Sequence, residues 1–137
     1  MVALDQATKW LAVTTLADGP VQIAGPLSLR LTYNFRGAFG LGAGFAPVLA
    51  VVATVVVVWI FRATPELAER WPTSLAGGAI VGGAMGNVAD RVFRSGDGFF
   101  GGGVVDFIDL GWWPVFNGAD IALTVGGALL LLAARHG

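Results

Sequence analysis

The 137-residue chain has no cysteine and a single histidine. Without cysteine there is no disulfide framework, no thiolate metal site and no thiol nucleophile. The histidine, His136, stands next to the last residue, where chain ends fray. That removes a Ser-His-Asp triad and a His-rich zinc site. Charge is scarce as well. Eight Lys+Arg and nine Asp+Glu make 12% of the chain, about half the ~25% of an ordinary soluble domain. So few cations in a chain of net charge -1 give no basic surface for nucleic acid. What is abundant is apolar: 55% of residues are hydrophobic, with 21 Gly and 5 Trp. Such a chain is too apolar to be disordered, and its length fits one domain spanning 1–137. A soluble domain of this size needs more polar cover, so the composition points to a membrane.

Three segments have the length for a bilayer. Leu41 to Phe61 is 21 residues without a charge, about 31 Å as a helix against a hydrocarbon core of ~30 Å. Its β-branched centre would suit a strand, but no ordinary strand is this long. Pro72 to Ala89 adds 18 uncharged residues, and Val115 to Ala134 adds 20 with one charge, Asp120. Met1 to Ala17 is weaker, being interrupted by Asp5, Gln6 and Lys9. An early acid and no basic start argue against a secretory signal. It is expected to be a short helix packed inside the bundle, or a first span cut short.

Between these lie other textures. Leu27, Leu29, Leu31 and Tyr33 alternate with Ser28, Arg30, Thr32 and Asn34, the period of a half-buried strand. Gly37, Gly40, Gly42 and Gly44 follow as turn chemistry. Arg62 to Trp71 reads as a short polar link, and Arg91 to Trp113 as a longer loop rich in glycine and aromatics. Trp and Phe at span edges suit the interfacial belt. Orientation is not legible from charge: with four spans, Arg62, Arg70 and Arg135 face Arg30, Arg36, Arg91 and Arg94 across the membrane, too even a split for the positive-inside rule.

The polar residues gather at span ends. Gly78, Gly82 and Gly86 recur every fourth residue and Asp90 continues the row, with Ala79, Gly83, Asn87 and Arg91 beside it. Residues four apart share a helix face, and small residues let a neighbouring helix approach. Asn87, Asp90 and Arg91 are therefore aimed at a close-packed seam, either as an anchoring Asp–Arg pair or as a functional group of a kind that is costly in a membrane. Asn117 and Asp120 suit a helix cap and a first-turn acid. Asp106 and Asp109 sit in an apolar stretch, Val104 to Leu110, where desolvation and a second acid raise a carboxyl pKa. With thiol catalysis, a Ser-His-Asp triad and a His-rich zinc site set aside, the inventory permits paired carboxylates. One can activate water while the other, protonated, donates to a carbonyl.

At these residues the sequence resembles the lipoprotein signal peptidases (signal peptidase II). Asp5-Gln6-Ala7-Thr8-Lys9 is similar to the D-Q-x-[ST]-K block of that family. Asn34-Phe35-Arg36-Gly37-Ala38-Phe39-Gly40 is similar to N-x-G-x-A-F-G, with one extra residue. Gly83 to Arg91 resembles G-x-x-G-N-x-x-D-R. Val105 to Asp109 resembles V-x-D-F, and Pro114 to Asp120 resembles P-x-F-N-x-A-D. Five blocks in one order are specific where each alone is weak. Four residues precede the Asp-Gln pair, where the family carries a longer apolar run.

The resemblance implies an all-α membrane protein: a four-transmembrane-helix bundle with a small external β-rich cradle and a loop over the site. It implies a multi-pass enzyme of the bacterial cytoplasmic membrane, monomeric and surrounded by membrane lipids. It needs no cofactor or metal and has no nucleic-acid partner. Its substrate would be a lipid-modified prolipoprotein, cut just before the diacylglyceryl cysteine. By motif position Asp106 and Asp120 are the catalytic pair. Asn34, Asn87, Arg91 and Asn117 line the site, with Asp90, Asp5 and Lys9 as supporting polar residues and Asp109 secondary.

Two other readings compete. A proton or ion path through Asp90, Arg91, Asp106 and Asp120 would place acids near mid-span, whereas these cluster at span ends. A structural subunit would use the same polar residues only to hold helices together.

Overall fold

A computed structural model describes residues 1–35, 45–96 and 100–135. Five helices and a small sheet follow in the order α1 (Val2–Thr15), β1 (Val21–Ala24), β2 (Leu27–Asn34), α2 (Phe45–Ala63), α3 (Pro65–Glu69), α4 (Trp71–Phe93), β3 (Val104–Asp109) and α5 (Gly118–Arg135). The glycines from Gly37 to Gly44, most of the Asn34–Gly40 block, and His136 lie outside the described residues.

The three strands pair antiparallel in the order β1-β2-β3. The β1–β2 hairpin turns at Gly25, which takes a left-handed φ of +52°, a conformation glycine adopts without a Cβ clash. The alternating run Leu27–Asn34 is a strand as its period predicts. The segment read as one long loop is not. It begins with the last turn of α4 and contains β3, where Thr32 pairs with Asp106 and Asn34 with Val104. Two aspartates in six residues weaken a strand's sequence signature, so only pairing with β2 reveals β3. The Arg62–Trp71 link likewise contains a helical turn, α3, started by Pro65, whose fixed φ suits a first helical position.

Helix α4 is the hub, lying against α1, α2, α3, α5 and β3. Glycines make this possible. A Cβ at Gly77 would lie 2.6 Å from Phe61 Cζ of α2, and one at Gly83 would lie 2.8 Å from the Ala119 carbonyl of α5. At Gly86 it would lie 2.8 Å from Asp5 Cγ of α1. The stripe is therefore split: Gly82 and Gly86 meet Met1 and α1, Gly83 meets α5 and Gly78 faces open space, while Gly77, beside the stripe, meets α2. A four-residue repeat identifies one helix face but not what covers each turn of it.

Two apolar clusters bracket the centre. Val57, Ala76, Ile80 and Leu130 join α2, α4 and α5. Ala12, Leu16 and Val105 join α1 to the sheet. Between them the buried residues are polar or charged: Asp5, Lys9, Asp90, Arg91, Asp106 and Asn117. Among the described residues, no helix is long and apolar enough to cross a membrane. Glycines and polar groups dilute the hydropathy of α4, and the uncharged run Leu41–Phe61 begins outside the described residues.

Candidate active site

Asp106 and Asp120 come from different elements and are joined through one residue, Asn117. The connection from β3 to α5 is short and stitched. Ile108 and Phe116 exchange backbone hydrogen bonds of 2.8 and 3.1 Å, so the residue before Asn117 is held against the strand carrying Asp106. Asn117 then caps α5. Its Oδ1 accepts the Asp120 N–H at 3.1 Å, and Asp120 Oδ2 accepts the Asn117 N–H at 3.0 Å, a reciprocal cap of the capping-box kind. The cap reading of these two residues is thus realised. The Asn117 amide also donates to Asp106 Oδ1 at 2.7 Å and to the Val105 carbonyl at 3.2 Å.

Asn87, on α4, completes the bridge. Its Nδ2 donates to Asp120 Oδ1 at 3.2 Å, while its Oδ1 accepts from Asn117 Nδ2 at 3.1 Å and from Lys9 Nζ at 2.9 Å. Asn34, at the end of β2, contributes a side-chain hydrogen bond to Asp106. Asp106 is only 4% exposed. Burial first, and the Asp120 charge second, push its pKa up to about 7, against the hydrogen bond from Asn117 and the Lys9 charge.

A second layer holds this one. Asp90 Oδ2 accepts the Val105 N–H at 3.0 Å, which fixes the strand one residue from Asp106. Lys9, fully buried on α1, pairs with Asp5 at 2.8 Å and with Asp90 at 3.0 Å. Arg91 is buried between Asp90 and Asp106 electrostatically, and its Nε and Nη1 have no hydrogen-bond partner among the described residues. Unpaired guanidinium donors in a buried seam beside carboxyls are available to a carbonyl oxygen of a bound chain.

All nine residues named from the sequence thus meet in one region. Asp109 does not join them. It sits at the outer end of β3, where Oδ1 accepts the Gly111 N–H and Oδ2 the Arg30 Nε–H, both at 2.8 Å. Two residues were missed. Gln6 links Asp5, the Gly86 carbonyl and Asp90 through Nε2, and Arg94 pairs with Asp90 at 2.9 Å. Arg94 could have been found, since it stands four residues after Asp90 on a helix. Gln6 carried no such signal outside its motif.

A family model described as signal peptidase (SPase) II matches residues 1–135. The chain belongs to the signal peptidase II family. It is a peptidase, and the two aspartates bridged by Asn117 accord with the aspartic type. It is similar to the lipoprotein signal peptidase of Mycobacterium avium (strain 104), 47% identical over 96% of this chain and 72% of the relative. That of Mycolicibacterium smegmatis is 48% identical over 95% and 55%. That of Rhodococcus jostii is 42% identical over 96% and 67%. A solved structure described as a bacterial membrane enzyme superposes with a TM-score of 0.78 at 28% identity, covering 98% of this chain and 82% of the other. The peptidase is accordingly a bacterial membrane protein, helical with a small antiparallel sheet.

Proposed function

We propose that this peptidase removes the signal peptide from diacylglyceryl-modified prolipoproteins, with Asp106 and Asp120 as its catalytic residues. The observation that carries the assignment is Asn117, whose side-chain amide donates to the strand carboxyl of Asp106 and whose backbone N–H donates to the helix-cap carboxyl of Asp120. Two such acids share one proton.

Asp106 is assigned the proton. Its carboxyl titrates near 7, so at neutral pH it is available as a hydrogen-bond donor. Asp120 is assigned the charge. Both its oxygens receive N–H donors, and it stands in the first turn of α5, where the helix dipole favours an anion. Asp120 takes a proton from water as the water oxygen attacks the scissile carbonyl. Asp106 protonates the carbonyl oxygen. On collapse the amide nitrogen of the cysteine takes the proton from Asp120 and the C–N bond breaks. The gem-diol proton returns to Asp106. Arg91, Asn34 and Asn87 position the extended substrate backbone, while Asp90, Asp5 and Lys9 hold the elements together.

The peptidase is read as one domain with four spans in the cytoplasmic membrane, a monomer in contact with lipid, with the sheet outside. What supports the spans is the outward face of the helices. Val51, Val55 and Trp59 of α2 and Val125 and Leu131 of α5 are exposed, and apolar faces of this extent require a lipid or protein cover. The substrate's acyl chains would stay in that lipid while its peptide reaches the carboxyls.

The test is a gel-shift cleavage assay on a lipidated prolipoprotein. Asp106→Asn and Asp120→Asn are each expected to abolish cleavage while the protein still inserts. Near-normal cleavage by either removes the assignment.

A further inference from the structure

The third hydrogen of a buried ammonium has a target that the ion pairs do not require. Lys9 is 0% exposed. Two of its N–H groups meet the Asp5 and Asp90 carboxylates. The third goes to Asn87 Oδ1 at 2.9 Å. An ammonium has donors only, so it dictates which end of the Asn87 amide faces it. The NH2 end is thereby turned to Asp120 Oδ1 at 3.2 Å. A flipped Asn87 would set NH2 against the Lys9 ammonium and the Asn117 NH2, and carbonyl oxygen against the Asp120 carboxyl. Asn117 is a weaker determinant of that flip. Its Nδ2 has two hydrogens and three acceptors, at 2.7, 3.1 and 3.2 Å, of which Asp106 is the nearest.

We propose that Lys9 is a positioning residue for catalysis, fixing the Asn87 amide so that it donates to Asp120. The inference rests on the reading that Asp106 and Asp120 perform the hydrolysis. It assigns Lys9 a role beyond joining α1 to α4. The charged groups facing Lys9 are Asp5 on its own helix, Asp90 on α4, Asp106 on β3 and Asp120 on α5, while Arg94 pairs with the same Asp90 and Arg91 acts on Asp90 and Asp106. Lys9 also opposes the burial and the Asp120 charge that keep Asp106 protonated. Loss of the ammonium therefore extends the protonated form of Asp106 to higher pH.

The experiment measures kcat, KM and the pH profile on lipidated prolipoprotein in detergent. Lys9→Met is combined with Asp5→Asn, so that Asp5 is not left as an uncompensated carboxylate, while Asp90 keeps its pair with Arg94. That pair is expected to lower kcat about tenfold with little change in KM, through loss of one oriented donor. The alkaline limb should rise by about one pH unit. Added to Asn87→Ala, it should cost no more than Asn87→Ala alone, because both act through one bond. Additive losses, an unmoved alkaline limb or a change confined to KM would overturn the proposal. If Lys9→Met/Asp5→Asn does not insert, Lys9→Gln/Asp5→Asn takes its place, keeping an N–H for Asn87 without the charge. It should retain kcat within about threefold and still move the limb. Failure of both to insert, where Asn87→Ala does insert, marks Lys9 as structural only and also overturns it. The catalytic assignment is judged separately: activity in Asp120→Asn defeats the pair, whereas an inactive Asp120→Asn with additive Lys9 and Asn87 effects defeats only the relay.

Discussion

Asp106 is expected to destabilise the protein it serves. Its carboxyl titrates near 7 in the folded chain against 3.8 for the free group. The unfolded chain gives up that proton first as pH rises. Ionisation therefore favours unfolding over the window from about pH 4 to about pH 7, and stability falls across it. A shift of about three units, at about 1.4 kcal/mol each, sets an upper figure of about 4 kcal/mol. Sharing the proton with Asp120 reduces the part owed to Asp106 alone, so about 2–4 kcal/mol is expected. Asn at this position is neutral at every pH and keeps an oxygen for the 2.7 Å hydrogen bond from Asn117. Asp106→Asn should therefore be inactive yet more stable than the parent at pH 8, with the difference vanishing toward pH 4. Thermal unfolding in detergent at pH 5, 6, 7 and 8 measures it. At roughly 3–6 °C per kcal/mol for a chain of this size, the gain at pH 8 is on the order of 10 °C. A variant less stable than the parent at pH 8, or a gap that does not change between pH 5 and 8, would refute the reasoning.

Two glycines of α4 should respond oppositely to alanine. Gly83→Ala sets a methyl 2.8 Å from the Ala119 carbonyl, at the crossing that carries Asn117 and Asp120. It should cost about 1–3 kcal/mol by overpacking and lower the cleavage rate. Gly78→Ala meets nothing within 4 Å and should raise stability by about 0.5–1 kcal/mol through helix propensity; thermal unfolding of both separates the cases. Asp109→Asn breaks a surface pair with the half-exposed Arg30 and should leave most cleavage activity in place. Total loss there, in the gel-shift assay, would mean that the wrong acid of β3 has been assigned.

Much was legible in the chain itself. Uncharged length marked α2, α4 and α5, and period two marked β2. The absence of thiols and of a placed histidine left carboxylates as the available hydrolytic groups. Five ordered motif blocks pointed to the family and to the residues that now meet at the site. These are local properties: hydropathy, periodicity and residue chemistry act over a few turns, so they survive in a one-dimensional record.

What only the tertiary structure decided is which groups meet, and on what terms. That Ile108 and Phe116 pair, so that the Asn117 cap lies beside Asp106, depends on the β3–α5 stitching. That Gly78 is open while Gly83 and Gly86 are filled depends on where α1 and α5 cross α4. The proposed division of labour between the two acids rests on which donors reach each oxygen and how deeply each is buried. Spacing along a chain cannot encode these, because desolvation and hydrogen bonding are set by neighbours that are distant in sequence and adjacent only after folding.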